Sequence, residues 1–201
     1  AVAVTSLSGV TILDGNSTDT DIALTVTGAM FNALTTKTVQ AEDTITVTGM
    51  DSLTTTASGA IDVFVFGAAE DDASITSFAT AGVDRLNVDA VLDAVTGIAG
   101  VAAVAFDQTN DTAADNSVII TSGEADLDAA GAVALFADDA DGEADGKMDI
   151  SDGEQFILVH NDDDAGEDSQ VWLIDNDGGT ISADLIVTLV GKVDVDFADF
   201  I

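Results

Sequence analysis

A short motif returns along the first third of the chain at a fixed interval. Leu24-Thr25-Val26-Thr27-Gly28 is matched by Ile45-Thr46-Val47-Thr48-Gly49, a spacing of 45 − 24 = 21 residues. The flanks repeat as well. Asp21-Ile22 precedes the first copy and Asp43-Thr44 the second, and each copy runs on through Met to Leu, as Met30 to Leu34 and Met50 to Leu53. A third strand of similar shape, Val63-Phe64-Val65-Phe66-Gly67, starts 18 residues after Ile45. Thr, Val and Ile in period two, closed by Gly, read as strands. A repeat of roughly 20 residues is what stacked coils require, because each coil buries its apolar side on the next. The expected fold class is mainly β, with strands in a parallel β-roll or solenoid-like stack or in a β-sandwich, and a few short helices.

Charge limits what can hold such a stack together. The chain carries 38 acidic residues and only four basic ones, Lys37, Arg85, Lys147 and Lys192, for a net charge of −34. Self-repulsion at this level opposes compaction. Disorder would also need low hydrophobicity, yet 47% of the residues are hydrophobic, which is ample material for a core. The carboxylates therefore call for a counter-charge. Calcium is the simplest candidate, since hard cations take oxygen ligands from Asp, Asn and backbone carbonyls. High external salt is the rival, but a salt-adapted cytosolic chain would carry more Glu, whereas the acid here is mostly Asp placed beside Gly and Asn. No basic stripe exists to neutralise phosphates, so nucleic acid is excluded as a partner. No apolar run is long enough to span a bilayer, so membrane insertion is not expected. Ala1-Val2-Ala3-Val4 lacks both a signal-peptide start and a Met, which reads as a processed chain or a piece of a longer one. Cysteine is absent, which removes disulfides and thiol chemistry.

The organisation divides into a Thr/Val-rich repetitive β region over residues 1–60 and an acidic, calcium-binding, β-rich region over 61–201. Within the latter, Val88, Val91, Leu92 and Val95 stand at helical spacing, ahead of Gly97 and Gly100, and predict a short helix. Ser117–Thr121 predicts a buried strand. Residues 123–137 predict a second helix with Leu127, Ala130, Ala134 and Leu135 on one face and Ser122 as cap. Phe156–His160, Gln170–Ile174, Leu185–Leu189 and Val193–Phe197 predict strands separated by Asp/Asn/Gly turns.

The sharpest local motif is Asp141–Asp152. With Asp141 at position 1 of a calcium loop, Glu143 falls at 3, Asp145 at 5, Gly146 at 6, the Lys147 carbonyl at 7, Asp149 at 9 and Asp152 at 12, with apolar Met148 between. Alternate residues of a tight loop point inward, and the glycine turns the chain back toward the ion. The loop resembles those of dockerin modules, which also end in Asp. Glu143 is longer than the usual ligand there, and Gly153–Leu158 looks like a strand where a helix would follow. Three further acidic turns are candidate metal sites or plain turns. The first is Asn161–Asp168, with Asp162 and Asp164. The second is Asp175-Asn176-Asp177-Gly178-Gly179, with Asp175 and Asp177. The third is Glu70-Asp71-Asp72, with Asp71, Asp72 and downstream Asp84.

Phe64-Val65-Phe66, Asp71-Asp72, Ile75-Thr76-Ser77-Phe78 and Gly82-Val83-Asp84-Arg85-Leu86-Asn87-Val88 together resemble the segment that follows the calcium-binding nonapeptides of repeats-in-toxin proteins. The stretch from Phe156 through Val171-Trp172-Leu173-Ile174 to Asp196-Phe197-Ala198-Asp199-Phe200-Ile201 is similar to the end of such proteins and of surface-layer proteins exported by the type I pathway. The resemblance covers roughly residues 60–201. The Gly-Gly-x-Gly-x-Asp nonapeptide itself is missing, and Asp177-Gly178-Gly179-Thr180 is only a fragment of it. The resemblance implies secretion and calcium-triggered folding outside the cell, but family members differ widely in function.

Catalytic patterns are weak. His160 is the only histidine, and it could pair with Asp162 but reads more simply as structural. No zinc-protease or nucleophile-elbow motif occurs, and Trp172 is the single Trp, a poor start for a glycan platform. Asn16-Ser17-Thr18 fits a glycosylation acceptor, a short pattern that arises readily by chance. The expected function is therefore a non-catalytic, extracellular, calcium-binding structural protein that assembles with itself as a homo-oligomer or polymer in a surface layer, filament or matrix. The alternative is an adhesin or targeting module of a larger secreted protein.

Overall fold

The computed structural model describes residues 2–3, 12–14, 23–34, 36–38, 44–50, 54–58, 61–67, 73–79, 83–92, 104–105, 117–123, 126–137, 147–162, 168–191 and 194–201. The first five coils alternate between one long parallel ladder and two short ones. β1 (Val2–Ala3) leads to β2 (Ile12–Asp14). β3 (Ala23–Thr27), helix α1 (Gly28–Ala33) and β4 (Thr36–Thr38) form the next coil. β5 (Thr44–Thr48) with β6 (Thr54–Thr56), and β7 (Ile61–Val65) with β8 (Ala73–Thr76), form two more, and β9 (Arg85–Asn87) opens a fifth. The odd strands make one parallel sheet in the order β1-β3-β5-β7-β9, while β2 pairs with β4 and β6 with β8, both in parallel. Strands that alternate between two parallel ladders are the arrangement of a β-roll, so the repeat does what its period predicts.

The register gives the reason. Leu24 stands opposite Ile45, and Val26, Val47, Phe64 and Leu86 line up across four strands. Leu24 is partly buried and the others are buried, with the Phe64 ring edge-on to Phe31 of α1 at 6.3 Å. Thr27 caps α1 by accepting the Met30 N–H at 3.3 Å, so the last residue of the repeated strand also starts the helix. The third copy is offset from its sequence match. Ile45 lies opposite Asp62, not Val63, and Phe64 and Phe66 take the buried places. A slip of one residue exchanges the two faces of a strand, so Ile61, Val63 and Val65 take the other face, where Val63 is nevertheless buried and Ile61 and Val65 are half-buried.

The β6–β8 ladder continues into strands of the acidic region. β10 (Val104–Ala105), β11 (Val118–Gly123), β14 (Gln155–Asp162), β15 (Ser169–Asp177) and β16 (Thr180–Val190) join β8 and β6 in one seven-stranded sheet. β14, β15 and β16 form an antiparallel meander, and β16 pairs in parallel with β8 from Val187 opposite Ala73 to Val190 opposite Thr76. Between β11 and β14 the chain makes helix α2 (Ala129–Val133) and the short parallel pair β12 (Phe136–Ala137) with β13 (Met148–Asp149). β15 and β16 are joined by Gly178-Gly179, both at positive φ (63° and 75°). Two consecutive left-handed residues are what a tight hairpin turn demands, which is the structural use of this would-be nonapeptide fragment.

The meander is buried on both faces. Ile157, Val159, Val171 and Leu173 join the core shared with the roll, where they meet the cluster that holds Val47, Phe64 and Ile75. Their neighbours Phe156, Leu158, Trp172 and Ile174 form a second cluster with Ala132 of α2, Phe136 and Met148. Burial on both faces accounts for the unbroken apolar runs.

Three expected elements differ. Residues 85–92 form β9 and then a turn in which Val91 N–H donates to the Val88 carbonyl at 2.9 Å, and no helix begins there. Val88, Val91 and Leu92 are buried by that turn, so their spacing records a core contact. The helix expected over 123–137 shrinks to α2, because β11 runs to Gly123 and the cap is Asp128, whose side chain accepts the Gly131 N–H at 2.7 Å. The described part of 193–197 is not a strand, and Phe197–Asp199 is a single 3-10 turn capped by Asp196.

Candidate functional site

Carboxylates are the chemistry this chain holds most of, and the described ones gather in three places. The first lies inside the roll. Asp62 on β7 and Asp84 just ahead of β9 are fully buried and separated by one coil, 84 − 62 = 22 residues. Asp84 accepts the Asp62 N–H through Oδ1 at 3.0 Å and the Ala79 N–H through Oδ2 at 2.8 Å, while its own N–H donates to the Ala79 carbonyl at 2.8 Å. Asp62 accepts the N–H of Ser58 through Oδ2 and the Ser58 hydroxyl through Oδ1 at 2.9 Å. Asp199, also fully buried, accepts the Asp196 N–H at 3.0 Å. Burial holds the Asp84 carboxyl above the usual carboxylate range. Its two backbone donors act against that rise, and the charge of Asp199 adds to it. Of the expected metal ligands, Asp84 is therefore the one whose two oxygens already serve backbone amides.

The second place is one end of the meander. Here two of the acidic motifs meet. Asp152, exposed, accepts the Gly178 N–H at 2.7 Å. Asn176 between Asp175 and Asp177 donates through Nδ2 to the Ile150 carbonyl at 2.7 Å, and its backbone exchanges hydrogen bonds with Gly153 and Glu154. Asp175 is half-buried and Asp177 exposed. Lys147 and Asp149 are half-buried beside Met148, which is fully buried in the second cluster. The apolar position between ligand positions is thus a core residue on β13, and a strand follows, as expected.

The third place is the opposite end. Asp162 ends β14 opposite Gly123, and Asp168 accepts the Gly191 N–H at 2.8 Å. Asn161 holds both polar groups of Val195, accepting from its N–H at 3.1 Å and donating to its carbonyl at 3.0 Å. Gln170 does the same for Leu127, at 2.8 and 3.2 Å, and so fixes the approach to α2. His160, partner of Gln170 across the sheet, is buried. A Cβ on Gly123 would come within 3.0 Å of its ring, so the glycine leaves the imidazole its place.

Asp71, Asp72, Asp141, Glu143, Asp145 and Asp164 lie outside the described residues. Among the described residues, no three His, Asp or Glu side chains stand together as a metal centre would require. The fit of calcium therefore rests on the loop 141–152 and on the turns at 71–72 and 162–164. Sequence reasoning gave no role to Asp62 or Gln170, and it placed Asn161, Asn176 and Asp199 in acidic motifs without foreseeing their backbone partners. Asp62 left a trace in standing one coil from Asp84.

No protein-family model, curated protein or solved structure matches the chain. No helix among the described residues is long and apolar enough to cross a membrane. What the described acids do chemically is common to all three places. Short carboxyl and carboxamide groups accept backbone N–H groups that the turns leave without a strand partner.

Proposed function

We propose that this is a non-catalytic, extracellular structural protein that assembles with itself into a surface layer, filament or matrix and whose acidic turns are held by calcium. The observation that carries the reading is the parallel ladder β1-β3-β5-β7-β9, in which successive coils repeat one cross-section in register. Such a stack is a scaffold that lengthens by repetition. The buried setting of His160 favours packing over acid–base work. Calcium is proposed for the Asp141–Asp152 loop, whose last residue reaches the Gly178 turn, and for the turns at 162–164 and 71–72. The ion would supply charge neutralisation and nothing else, since a cation that binds the folded chain alone stabilises it by mass action. Circular dichroism and electron microscopy on one sample test this. The reading expects folded, ordered assemblies in millimolar calcium and loss of both in excess chelator. A monomer with the same spectrum and melting point in either condition would overturn it.

A further inference from the structure

β9 closes the strand order of the five-stranded sheet, and its pairing with β7 uses one of its two edges. The Phe66 N–H donates to the Asn87 carbonyl at 3.0 Å on that side. The Leu86 carbonyl faces the other way. There it accepts the Ile201 N–H at 3.1 Å, and Phe200 forms a parallel bridge with Leu86. The far edge of β9 is thus met by a segment that has crossed over from β16, in the other sheet, 200 − 86 = 114 residues further along the chain.

This segment is made to end a sheet rather than to extend it. Phe200 is extended (φ −106°, ψ 150°), but the residues before it form the 3-10 turn Phe197–Asp199. The turn satisfies its own donors. Asp196 accepts the Ala198 N–H through Oδ1 at 2.7 Å, and its carbonyl accepts the Asp199 N–H at 3.1 Å. The Phe200 N–H goes to the Phe197 carbonyl at 3.2 Å, and the Asp196 N–H goes to the Asp199 carboxylate at 3.0 Å. With Ile201 on Leu86, the N–H groups of Asp196, Ala198, Asp199, Phe200 and Ile201 are all committed. Covering a strand edge with a turn of this kind is one way in which sheets avoid unwanted pairing. Burial and charge agree. Val195 and Phe200 are buried in the core that holds Leu86 and Val88, and Phe197 packs against it, whereas Asp194 and Asp196 are exposed.

We propose that residues 194–201 are a strap that closes the β9 end of the roll to strands from other copies of the chain. The proposal bears on the self-assembly reading without resting on it, because it says which end of the roll stays closed while the strap is seated. The backbone hold on β9 is slight, one bridge and one hydrogen bond at Leu86. The seat therefore depends on the Phe200 ring and on Val195, which Asn161 of β14 grips by both backbone groups. Withdrawal of the strap leaves the Leu86 carbonyl without its donor and uncovers the side of β9 that Phe200 and Ile201 hold. In a solution of this chain alone, what takes the strap's place is the same edge of a second copy, joined about a two-fold axis.

The test compares two ring deletions in the whole chain. Phe200→Ala removes the strap's anchor, and Phe136→Ala removes a ring of equal size from the second cluster. Each is run by sedimentation velocity at a dilution at which the wild type is monomeric, with circular dichroism confirming the fold. Phe200→Ala should self-associate roughly tenfold more tightly than Phe136→Ala, a difference of about 1.4 kcal/mol. Asn161→Ala unties Val195 and leaves every ring in place. It should shift the same way by a smaller factor, and it decides the matter if Phe200→Ala does not fold. Equal association of Phe136→Ala would mean that any loss of packing makes the chain associate, and monomeric Phe200→Ala and Asn161→Ala would mean that β9 needs no strap. Either result overturns the proposal. Ordered wild-type assemblies in calcium, with no difference among the variants, would remove the strap and leave the structural reading standing. Strap-dependent association of a chain whose wild type never assembles would do the reverse.

Discussion

The roll and the meander bury similar residues through opposite wiring. In the roll, Val26, Val47, Phe64 and Leu86 meet across coils, each contact spanning a whole turn of chain. In the meander, β14, β15 and β16 meet the next strand in sequence, and the link between β15 and β16 is only Gly178-Gly179. β5 buries one face, so polar and apolar residues alternate along it, whereas β7 buries Asp62, Val63 and Phe64 in succession. The meander strands bury both. Acid is placed accordingly. Inside the roll it is buried and bonded to turn amides, as at Asp62 and Asp84, whereas in the meander it sits at the turns, as at Asp152 and Asp168. The comparison teaches that one residue type serves one end in two settings. A carboxylate within reach of a backbone N–H holds the chain locally, buried at Asp84 in the roll and at the surface at Asp152 in the meander.

The two regions nevertheless share a core, and the sharpest way to break the comparison is to melt one alone. Phe64→Ala removes a fully buried ring that touches Phe31 and lies 6.3 Å from Phe78. It should cost about 4 kcal/mol. Because β16 pairs with β8, the roll and the meander should still unfold in one transition, read by Trp172 fluorescence and by circular dichroism together. Two separated transitions would show that the roll and the meander fold as independent units.

Asp84→Ala should come next, at about 2 kcal/mol, since it leaves the buried Asp62 N–H and the part-buried Ala79 N–H without an acceptor. The same carboxyl gives a pH test. Its folded pKa is raised by burial, so the folded state keeps the proton to higher pH than the unfolded chain does. Its contribution to stability is present at low pH and is lost as pH rises from the ordinary carboxylate range through the raised value. Denaturant unfolding of wild type against Asp84→Asn should show the wild type gaining on the variant as pH falls through that window. A constant difference would contradict the assignment.

The smallest effect belongs to the joint between the meander and residues 194–201. Asn161→Ala deletes two hydrogen bonds to Val195 and should cost about 1 kcal/mol. Faster amide exchange should be confined to Val195 and to Ile201, whose N–H donates to the Leu86 carbonyl at 3.1 Å. Faster exchange throughout β14 would mean that Asn161 supports the sheet as well.

Much of the roll was legible because its repeat is a direct consequence of coil length. Leu24 and Ile45 are true neighbours. The third copy was read one residue out, since Asp62 occupies an inward place that an apolar residue would normally hold, and its partner Ser58, four residues back, is announced by no pattern. Strands β14 to β16 were legible from their apolar runs, while their ends were not, because turn bonds such as Asp152 to Gly178 fix those ends. Of the expected helices, the one starting at Val88 is a turn through Leu92, with Val95 outside the described residues, and the one over 123–137 is present but shortened, for a common reason. Apolar spacing at 88–92 and 127–135 reports burial, and burial is reached there by turns and by a short helix tied down through Gln170. Of the candidate ligands, Asp84 was chosen for its place in an acidic series, which could not distinguish an ion from a backbone amide as its partner.

The dependence on calcium decides the account, and hydrogen exchange read strand by strand in millimolar calcium and then in excess chelator tests it most directly. The account predicts that protection is lost on chelation in β14, β15 and β16 and, through the β8–β16 pairing, in β5 and β7 at the same chelator concentration. Identical protection in both conditions would contradict it.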